Sequence, residues 1–258
     1  MRQRHAGVSA ARNAGADGLS PHRWLTFLDS DDKALPGWLE ALHAQVVASP
    51  DDRLVAVFCG LRVVGARGGT RLRLPHDMGP AHRRMTGLFI PGTYALRADV
   101  LPHLGGFRVG LKFSENTDLA LRLADAVEEM GWRTAAVAVP LVQIHERAVR
   151  HPPEVRLSAV EMMLDEHAHR LARDPAMAAA YRAIAGVQAA RLGDASAARR
   201  WFWEALRTNP RDLRHAGRLL MSAAPAVLRW RYARQVEERD DLKRPSAEPS
   251  RRPRRNQP

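Results

Sequence analysis

Short apolar runs and amphipathic stretches alternate along the first 150 residues. Runs rich in strand-forming residues predict strands over 24–28, 54–64, 70–74, 87–96 and 135–144. Apolar positions at helical spacing predict helices over 8–16, 36–46, 98–104 and 115–130. Pro140 is expected to break the last strand, and the polar segment 75–86 is expected to be a loop. The alternation predicts an α/β layered domain over residues 1–150.

The pattern changes after His151, where strand signals end and Ala, Leu and Arg become abundant. Helices are predicted over 154–171, 175–192, 195–207 and 211–235, the last broken near Pro225. We therefore place a domain boundary near residues 150–155 and expect an all-α module over residues 154–236. The fold class predicted for the whole chain is α/β followed by this helical module.

Part of the helical module has the spacing of a tetratricopeptide repeat, in which small residues let two helices approach and an aromatic ring fills the groove. The positions that keep this spacing are Gly186, Ala198, Phe202, Ala205 and Pro210. The predicted pair of helices covers 182–192 and 195–206, and an ordinary Ala-rich helical hairpin is the alternative. A single repeat cannot bury its own face, so we expect it to pack on the α/β domain or on a partner.

The formal net charge of +12 raises the question of nucleic acid as a partner. Residues 243–258 hold six Lys or Arg and one Glu, and they contain no large apolar residue. The segment 237–258 is therefore expected to be a disordered basic tail with weak affinity for anionic surfaces. No recognition motif for DNA or RNA is present in the sequence, so we expect no specific nucleic-acid partner.

Cysteine content and hydropathy constrain the cellular setting. Cys59 is the only cysteine, which excludes an intrachain disulfide, and its apolar neighbours predict a buried thiol. The start of the chain is polar, and no apolar run approaches the length of a membrane span, so we expect a cytoplasmic protein. Residues 213–236 mix large apolar side chains with Arg, so peripheral contact with anionic lipid at the inner face of the membrane is an alternative to packing on the hairpin.

A cluster of carboxylates is the clearest chemical signal in the sequence. Asp29, Asp31 and Asp32 directly follow the apolar strand predicted over 24–28. Ligands bind α/β folds at the carboxyl ends of strands, and clustered oxygens suit Mg²⁺ or Mn²⁺. The cluster therefore predicts a metal site, with a solvated acidic turn as the alternative.

Several ordered motifs over residues 7–147 resemble family 2 glycosyltransferases of the GT-A type. They are Gly7-Val-Ser-Ala-Ala-Arg-Asn-Ala-Gly15, Trp24-Leu-Thr-Phe-Leu-Asp-Ser-Asp-Asp32, Pro36-Gly-Trp-Leu39, Ala95-Leu-Arg-Ala-Asp-Val-Leu101, Gly105-Gly-Phe107, Glu115-Asn-Thr-Asp-Leu-Ala-Leu-Arg122 and Gly131. The resemblance implies a sugar transfer from a nucleotide-sugar to a hydroxyl acceptor, metal-assisted and inverting. The implied partners are the donor and a glycan or lipid-linked acceptor, which includes polysaccharide, lipid and protein glycan.

The resemblance also implies roles for individual residues. Asp31 falls on a metal-ligand position, and Asp29 falls on a position that contacts the nucleotide or the metal. Arg12 and Asn13 match a motif near the nucleotide, and His145 matches a late histidine close to the metal, with a purely structural role as its alternative. The implied cofactor is Mn²⁺ or Mg²⁺, which would offset charge on the departing nucleoside diphosphate.

Two departures from the family pattern qualify this expectation. The family has an adjacent Glu-Asp pair whose second acid is the base, but this chain has Glu115 followed by Asn116, and an amide cannot act as a general base. Glu115 or Asp118 would have to serve, with stabilisation of a helix N-terminus as the alternative for both.

The second departure is at the start of the chain. The resemblance implies earlier strands that bind the nucleobase, but only six residues precede Gly7. We therefore expect a partial GT-A sheet with unpaired strand edges. A truncated or inactive chain that acts as a binding or scaffold protein is the alternative function.

Overall fold

The computed structural model describes residues 6–49, 51–65, 68–145, 151–224, 226–227 and 231–232. These residues form a mixed α/β fold in which all the strands precede residue 146 and only helices follow it. The strands are β1 (Trp24–Thr26), β2 (Lys33–Ala34), β3 (Leu54–Val64), β4 (Thr70–Arg73), β5 (His76–Asp77), β6 (Thr86–Gly87), β7 (Tyr94–Arg97) and β8 (Arg133–His145). The helices are α1 (Val8–Ala16), α2 (Trp38–Val47), α3 (Val100–His103), α4 (Glu115–Glu129), α5 (Pro153–Glu166), α6 (Ala168–Leu171), α7 (Pro175–Arg191), α8 (Ala195–Thr208) and α9 (Leu213–Ser222).

The main sheet has six strands and mixed direction. Five of them follow the order β1-β7-β3-β8-β2, and β4 pairs with β3 beyond the part that β7 covers. β3 and β8 are parallel, whereas every other pair in this sheet is antiparallel. β1 therefore lies at one end of the sheet, with β7 as its strand neighbour among the described residues.

The core lies on both faces of β3, whose residues are almost all buried. Phe58 faces the cluster that includes buried residues of α4, and Val57 and Cys59 face the cluster that includes Leu42 of α2. Such an unbroken apolar strand is typical of a sheet covered on both faces. The predicted burial of Cys59 is confirmed, and that burial raises the pKa of its thiol to about 12.

The predicted break at Pro140 is wrong, because β8 continues from Arg133 to His145. Pro140 pairs with Gly60 at a point where the register against β3 shifts on both sides. A bulge removes the need for a ladder hydrogen bond from proline, which has no N–H. The absence of a side chain at Gly60 also matters, since a Cβ there would lie 2.9 Å from the carbonyl oxygen of Arg73.

Other boundaries differ from the predictions in smaller ways. The segment 75–86 is not only a loop, because β5 and β6 pair across it and Pro80–His82 form a 3-10 turn. The strand predicted over 87–96 is shorter than expected. Its first residue, Gly87, belongs to β6, and its last three residues belong to β7. The helix predicted over 154–171 is two helices that meet at His167. The helix predicted over 211–235 is described as α9 from Leu213 to Ser222.

The helical hairpin predicted around Gly193 is present as α7 and α8. Gly186 of α7 faces the ring of Phe202 on α8, and a Cβ on this glycine would lie 2.6 Å from the ring. The aromatic side chain therefore fills a space that only glycine leaves open, as the spacing predicted. Assignment of the module to the tetratricopeptide class stays a prediction.

Ion pairs join the helical module to α4. Asp118, Asp125 and Glu128 lie on one face of α4, since they are spaced by about two turns and then about one turn of helix. Asp118 contacts His167, and Arg170 contacts both Asp125 and Glu128. Arg170 is only 1% exposed, so this pairing supplies the counter-charges that a buried guanidinium needs.

Within the described residues, no helix is long and apolar enough to cross a membrane. The predicted basic tail over 237–258 and the last part of the predicted amphipathic segment lie outside the described residues. On α9, Leu213 and Leu220 are exposed, whereas Leu219 and Met221 pack against the cluster that contains Phe202.

Candidate functional site

A cleft of about 790 Å³ opens beside the carboxyl end of β1. Its walls come from α1, from the segment 25–31, from the first turn of α4 and from the start of the helical module. Among its charged and polar lining residues are Arg12, Asp29, Asp31, Lys112, Glu115 and His151. The cleft thus brings together most of the residues that the sequence singled out.

Arg12 lies between two carboxylates of this cleft. Its Nη2 donates to Oδ1 of Asp29 at 2.8 Å, and its Nη1 lies 3.4 Å from Oε1 of Glu115. The guanidinium also lies over the ring of Phe107, 5.2 Å from the centroid, and 6.0 Å from that of Phe27. Two carboxylates and two ring faces offset the cost of burying this cation, whose side chain is 6% exposed.

Local structure explains why Arg12 and Asp29 meet. Gly7, with φ of 89°, precedes α1, whose Ala-rich sequence favours a helix and allows close packing. The side chain of Arg12 is on the buried side of α1, so it points toward the end of β1. Asp29 follows β1. The Asp32 N–H donates to the Asp29 carbonyl oxygen, and this turn holds the acidic segment at the carboxyl end of β1.

Asn13 is engaged by the backbone of Phe107. Its Oδ1 accepts from the Phe107 N–H at 2.7 Å, and its Nδ2 donates to the Phe107 carbonyl at 2.8 Å. Gly106, with φ of 74°, gives the space for this clamp, since a Cβ there would lie 2.9 Å from Oδ1 of Asn13. Asn13 therefore fixes the ring that lies under Arg12, and it lines a neighbouring cavity rather than the cleft itself.

Asp29 and Asp31 both line the cleft, and Asp31 is exposed. His145, at the exposed end of β8, is not among the residues that line it, and its Nε2 lies 3.2 Å from Nε2 of Gln143. In the described ranges, no group of three or more His, Cys, Asp or Glu side chains is arranged to hold a metal ion. The two aspartates still fit Mg²⁺, which usually takes one or two carboxylates and completes its shell with water and substrate phosphates.

Glu115 reaches the cleft from the first turn of α4, where the helix dipole favours a negative charge. Its Oε1 accepts from Nδ2 of Asn116 at 2.9 Å, and Oδ1 of Asn116 accepts from the buried Tyr94 hydroxyl at 3.0 Å. Asn116 thus links a core tyrosine to the carboxylate of Glu115. Burial raises the pKa of Tyr94, so this hydroxyl remains a donor at neutral pH.

Asp118 is placed differently, because it is fully buried and does not line the cleft. Its carboxylate accepts from Nε of Arg122 at 3.1 Å and lies 2.9 Å from Nε2 of His167 and 3.4 Å from Nε of Arg108. Burial alone would raise the pKa of Asp118, but the hydrogen bonds from His167 and Arg122 outweigh it and lower the pKa. This carboxylate joins α4 to the helical module, and it also lies in the first turn of α4, where a negative charge is favourable.

Two charged or titratable cleft residues were not found by sequence reasoning. Lys112 belongs to the segment before α4, and His151 begins the helical module. His151 lies against Phe113, with ring centroids 6.2 Å apart. Neither residue belongs to a recognisable motif, and His151 reaches the cleft only because α5 packs back toward α4. No pattern in the sequence could have indicated that packing.

No model of a protein family matches the chain, and a search of curated proteins finds no match either.

Proposed function

We propose that this protein is a glycosyltransferase that transfers a sugar from a nucleotide-sugar donor to a hydroxyl acceptor with the help of a divalent metal. The single observation that carries the proposal is the meeting of Arg12, Asp29, Asp31 and Glu115 around one cleft at the carboxyl end of β1. These residues come from three separate motifs of the chain. The motif order and the shared cleft support the same assignment, in which β1, β3, β7 and β8 belong to a GT-A sheet.

In this proposal Asp31 and Asp29 hold Mn²⁺ or Mg²⁺. Asp29 has its Oδ1 committed to Arg12, which fixes the direction of its second oxygen. The bound metal would supply electrostatic stabilisation of the leaving diphosphate. Lys112, exposed in the same cleft, would add a positive charge on that side. Three carboxylates and two cations around one cleft suit a ligand that carries both a metal and phosphates.

His145 has a place in this proposal as an additional ligand. β2 pairs with β8 through Lys33 opposite Gln143 and Ala34 opposite Val142. If that antiparallel register continued for two residues, Asp31 would lie opposite His145. The proposal therefore keeps His145 as an additional candidate ligand on the neighbouring strand.

We assign the base to Glu115 rather than to Asp118. Glu115 lines the cleft, whereas Asp118 is buried and bound by His167 and Arg122. A general base must reach the proton that it takes, so a carboxylate outside the cleft cannot serve. Asn116, in the position of the family's second acid, would hold the Glu115 carboxylate in place through its amide.

Calorimetry with nucleoside diphosphates and Mn²⁺ tests the proposal, followed by turnover of a panel of nucleotide-sugars. We expect metal-dependent binding that Asp31→Asn weakens by about tenfold or more. Asp52→Asn is the matched control, because Asp52 is exposed and does not line the cleft. Failure of every nucleoside diphosphate to bind in the presence of metal, together with no turnover of any donor, would exclude the assignment.

A non-catalytic binding or scaffold role is the second candidate, and one observation favours it. Arg12 already pairs with Asp29 and Glu115, and a neutral amide stands beside Glu115 at position 116. Arg12 thus has its counter-charges without any ligand, so these contacts can serve the fold alone. Full function in the host after Asp31→Ala would favour this role, whereas loss of function with an intact fold would favour the transferase.

A further inference from the structure

A second cavity, of about 390 Å³, lies within the helical module and is separate from the cleft. Residues of α5, α7 and α9 line it, and four of them are arginines: Arg156, Arg191, Arg214 and Arg218. Asp212 is the only carboxylate among the lining residues. Ala176, Ala180 and Ala183 of α7 also line this cavity, which we call the arginine groove, and their small side chains leave room between its walls.

The carboxylate of Asp212 is committed to Arg214 on the outer side of the groove. Nε of Arg214 donates to Oδ1 at 2.8 Å, and its Nη2 donates to Oδ2 at 2.6 Å. Arg214 is 80% exposed in its side chain, so this pair faces solvent. Asp212 Oδ2 also lies 3.6 Å from Nε2 of His215, but among the described residues Asp212 forms no ion pair with Arg156 or Arg218.

Arg156 is a partly buried cation that forms no ion pair with a carboxylate of the described residues. Its guanidinium lies over the ring of Phe113, 4.5 Å from the centroid, and its Nε is buried without a hydrogen-bond partner in the part of the chain that the structure describes. Burial lowers the pKa of Arg156 for the same reason. A buried donor and a charge without a counter-charge both cost free energy, and a ligand with negative oxygens would recover it.

Two side chains of α9 extend this unpaired donor surface. His215 is 3% exposed, and its Nδ1 has no hydrogen-bond partner among the described residues. Arg218 makes no ion pair with any residue of the described ranges. Burial, together with the charges of Arg218 and Arg214, lowers the pKa of His215 despite the nearby Asp212. Polar groups without a hydrogen bond or an ion pair among the described residues thus lie on both α5 and α9, in residues that line one cavity.

We propose that the arginine groove is a binding site for a ligand that carries two or more carboxylate or phosphate groups. Guanidinium groups bind both kinds of oxyanion through charge-assisted hydrogen bonds. A cavity of about 390 Å³ holds a small polyanion or a short segment of an acidic chain. This site does not depend on the proposed transferase activity, because none of its residues lines the cleft.

Titration of the full chain with three probes tests the proposal: inorganic pyrophosphate, citrate and a tetraglutamate peptide. Calorimetry at about 150 mM salt suppresses attraction to exposed charges more than about 8 Å away. We expect at least one probe to bind, and we expect Arg156→Gln and Arg218→Gln each to weaken binding by about tenfold. Arg207→Gln, an exposed arginine on α8 that does not line the groove, is the matched control with the same change of net charge.

The three arms also identify the source of the anionic groups. Preference for pyrophosphate indicates a phosphate ligand, preference for citrate a small carboxylate, and preference for the peptide an acidic protein segment. Thermal melts of each variant confirm folding, and Arg218→Gln keeps the test valid if Arg156→Gln unfolds the module. Binding that survives Asp31→Asn separates the groove from the cleft. Absence of binding by all three probes, or equal weakening by Arg207→Gln, would overturn the proposal.

Discussion

Two carboxylates one turn apart on α4, Glu115 and Asp118, have opposite surroundings. The side chain of Glu115 is 17% exposed and lines the cleft, with one Arg12 nitrogen 3.4 Å away. The side chain of Asp118 is 0% exposed and contacts Arg122, Arg108 and His167. Both are acids in the first turn of the same helix, so the sequence alone does not distinguish them.

The difference shows how a charge becomes either structural or available for chemistry. Asp118 has exchanged water for hydrogen bonds from His167 and Arg122 and an ion pair with Arg108, so its charge stabilises the junction and cannot reach a substrate. Glu115 keeps partial contact with solvent and fewer partners, so a ligand can approach it. The helical module creates this difference, because His167 belongs to it and covers Asp118.

The largest expected effect is on stability, from Asp118→Asn. This change removes the negative charge that His167 and Arg122 face in a buried site, and it should lower the free energy of unfolding by about 3 kcal/mol. Urea denaturation followed by circular dichroism measures it. Asp99→Asn is the control, because the Asp99 side chain is 38% exposed where it pairs with Arg97. This variant should lose about 1 kcal/mol of unfolding free energy or less. Equal losses in the two variants would contradict the comparison.

The second prediction concerns activity and uses the other carboxylate. Under the proposed function, Glu115→Gln should lower turnover of the donor by about 100-fold or more, because an amide cannot accept a proton. The same variant should unfold within about 1 kcal/mol of the unmodified chain, since its main charge contact is a single 3.4 Å pair. Steady-state kinetics and urea denaturation give the two readouts. A variant that loses stability but keeps its turnover would assign Glu115 to structure.

A third prediction compares two histidine–aspartate pairs at the junction. His167 and His169 each place Nε2 2.9 Å from an aspartate, but the His167 side chain is 3% exposed and the His169 side chain is 54% exposed. His167→Gln should cost about 1–3 kcal/mol, and His169→Gln less than about 1 kcal/mol. Chemical denaturation of both variants measures this ratio. Similar costs for the two would mean that burial does not set the strength of these contacts.

The smallest expected effect is a difference in pH dependence. The pKa of Asp118 is lowered in the folded state from an ordinary value of 3.8, so below neutral pH the unfolded chain takes up a proton before the folded chain does. The stability that the Asp118 carboxylate contributes is complete above pH 3.8, the ordinary pKa of the unfolded chain. It is lost as the pH falls through the lower pKa that Asp118 has in the folded chain. The gap in stability between the unmodified chain and Asp118→Asn should therefore narrow at acid pH. Denaturation midpoints from pH 7 to pH 3 test this, and a constant gap would contradict it.

Local signals predicted much of the secondary structure. The bounds of α1 and β3 agree with the prediction, because an Ala-rich stretch favours a helix and a continuous apolar run with flanking polar residues favours a buried strand. The β8 strand was predicted too short, since only its register against β3 reveals the bulge that accommodates Pro140. Helix α5 ends before His167, which contacts Asp118, a residue 49 positions earlier in the sequence. A local pattern could not indicate this helix end.

The candidate site was predicted in part. The acidic segment 29–32 was found from its position after a strand, and Arg12 was found from the family resemblance. The ion pair between Arg12 and Asp29 at 2.8 Å was not predicted, because it depends on how α1 packs against the end of β1. Lys112 and His151 were missed, because they reach the cleft through segments without periodicity.

The sequence by itself determined the order of elements, the buried strand β3, the acidic segment after β1 and the small-residue contact of Gly186 with Phe202. These features depend on side-chain periodicity and size, which are local properties of a chain. Tertiary structure alone decided which charges are buried and which are exposed. Asp118 and Glu115 are alike in sequence, and only the packing of the helical module against α4 removes one of them from water.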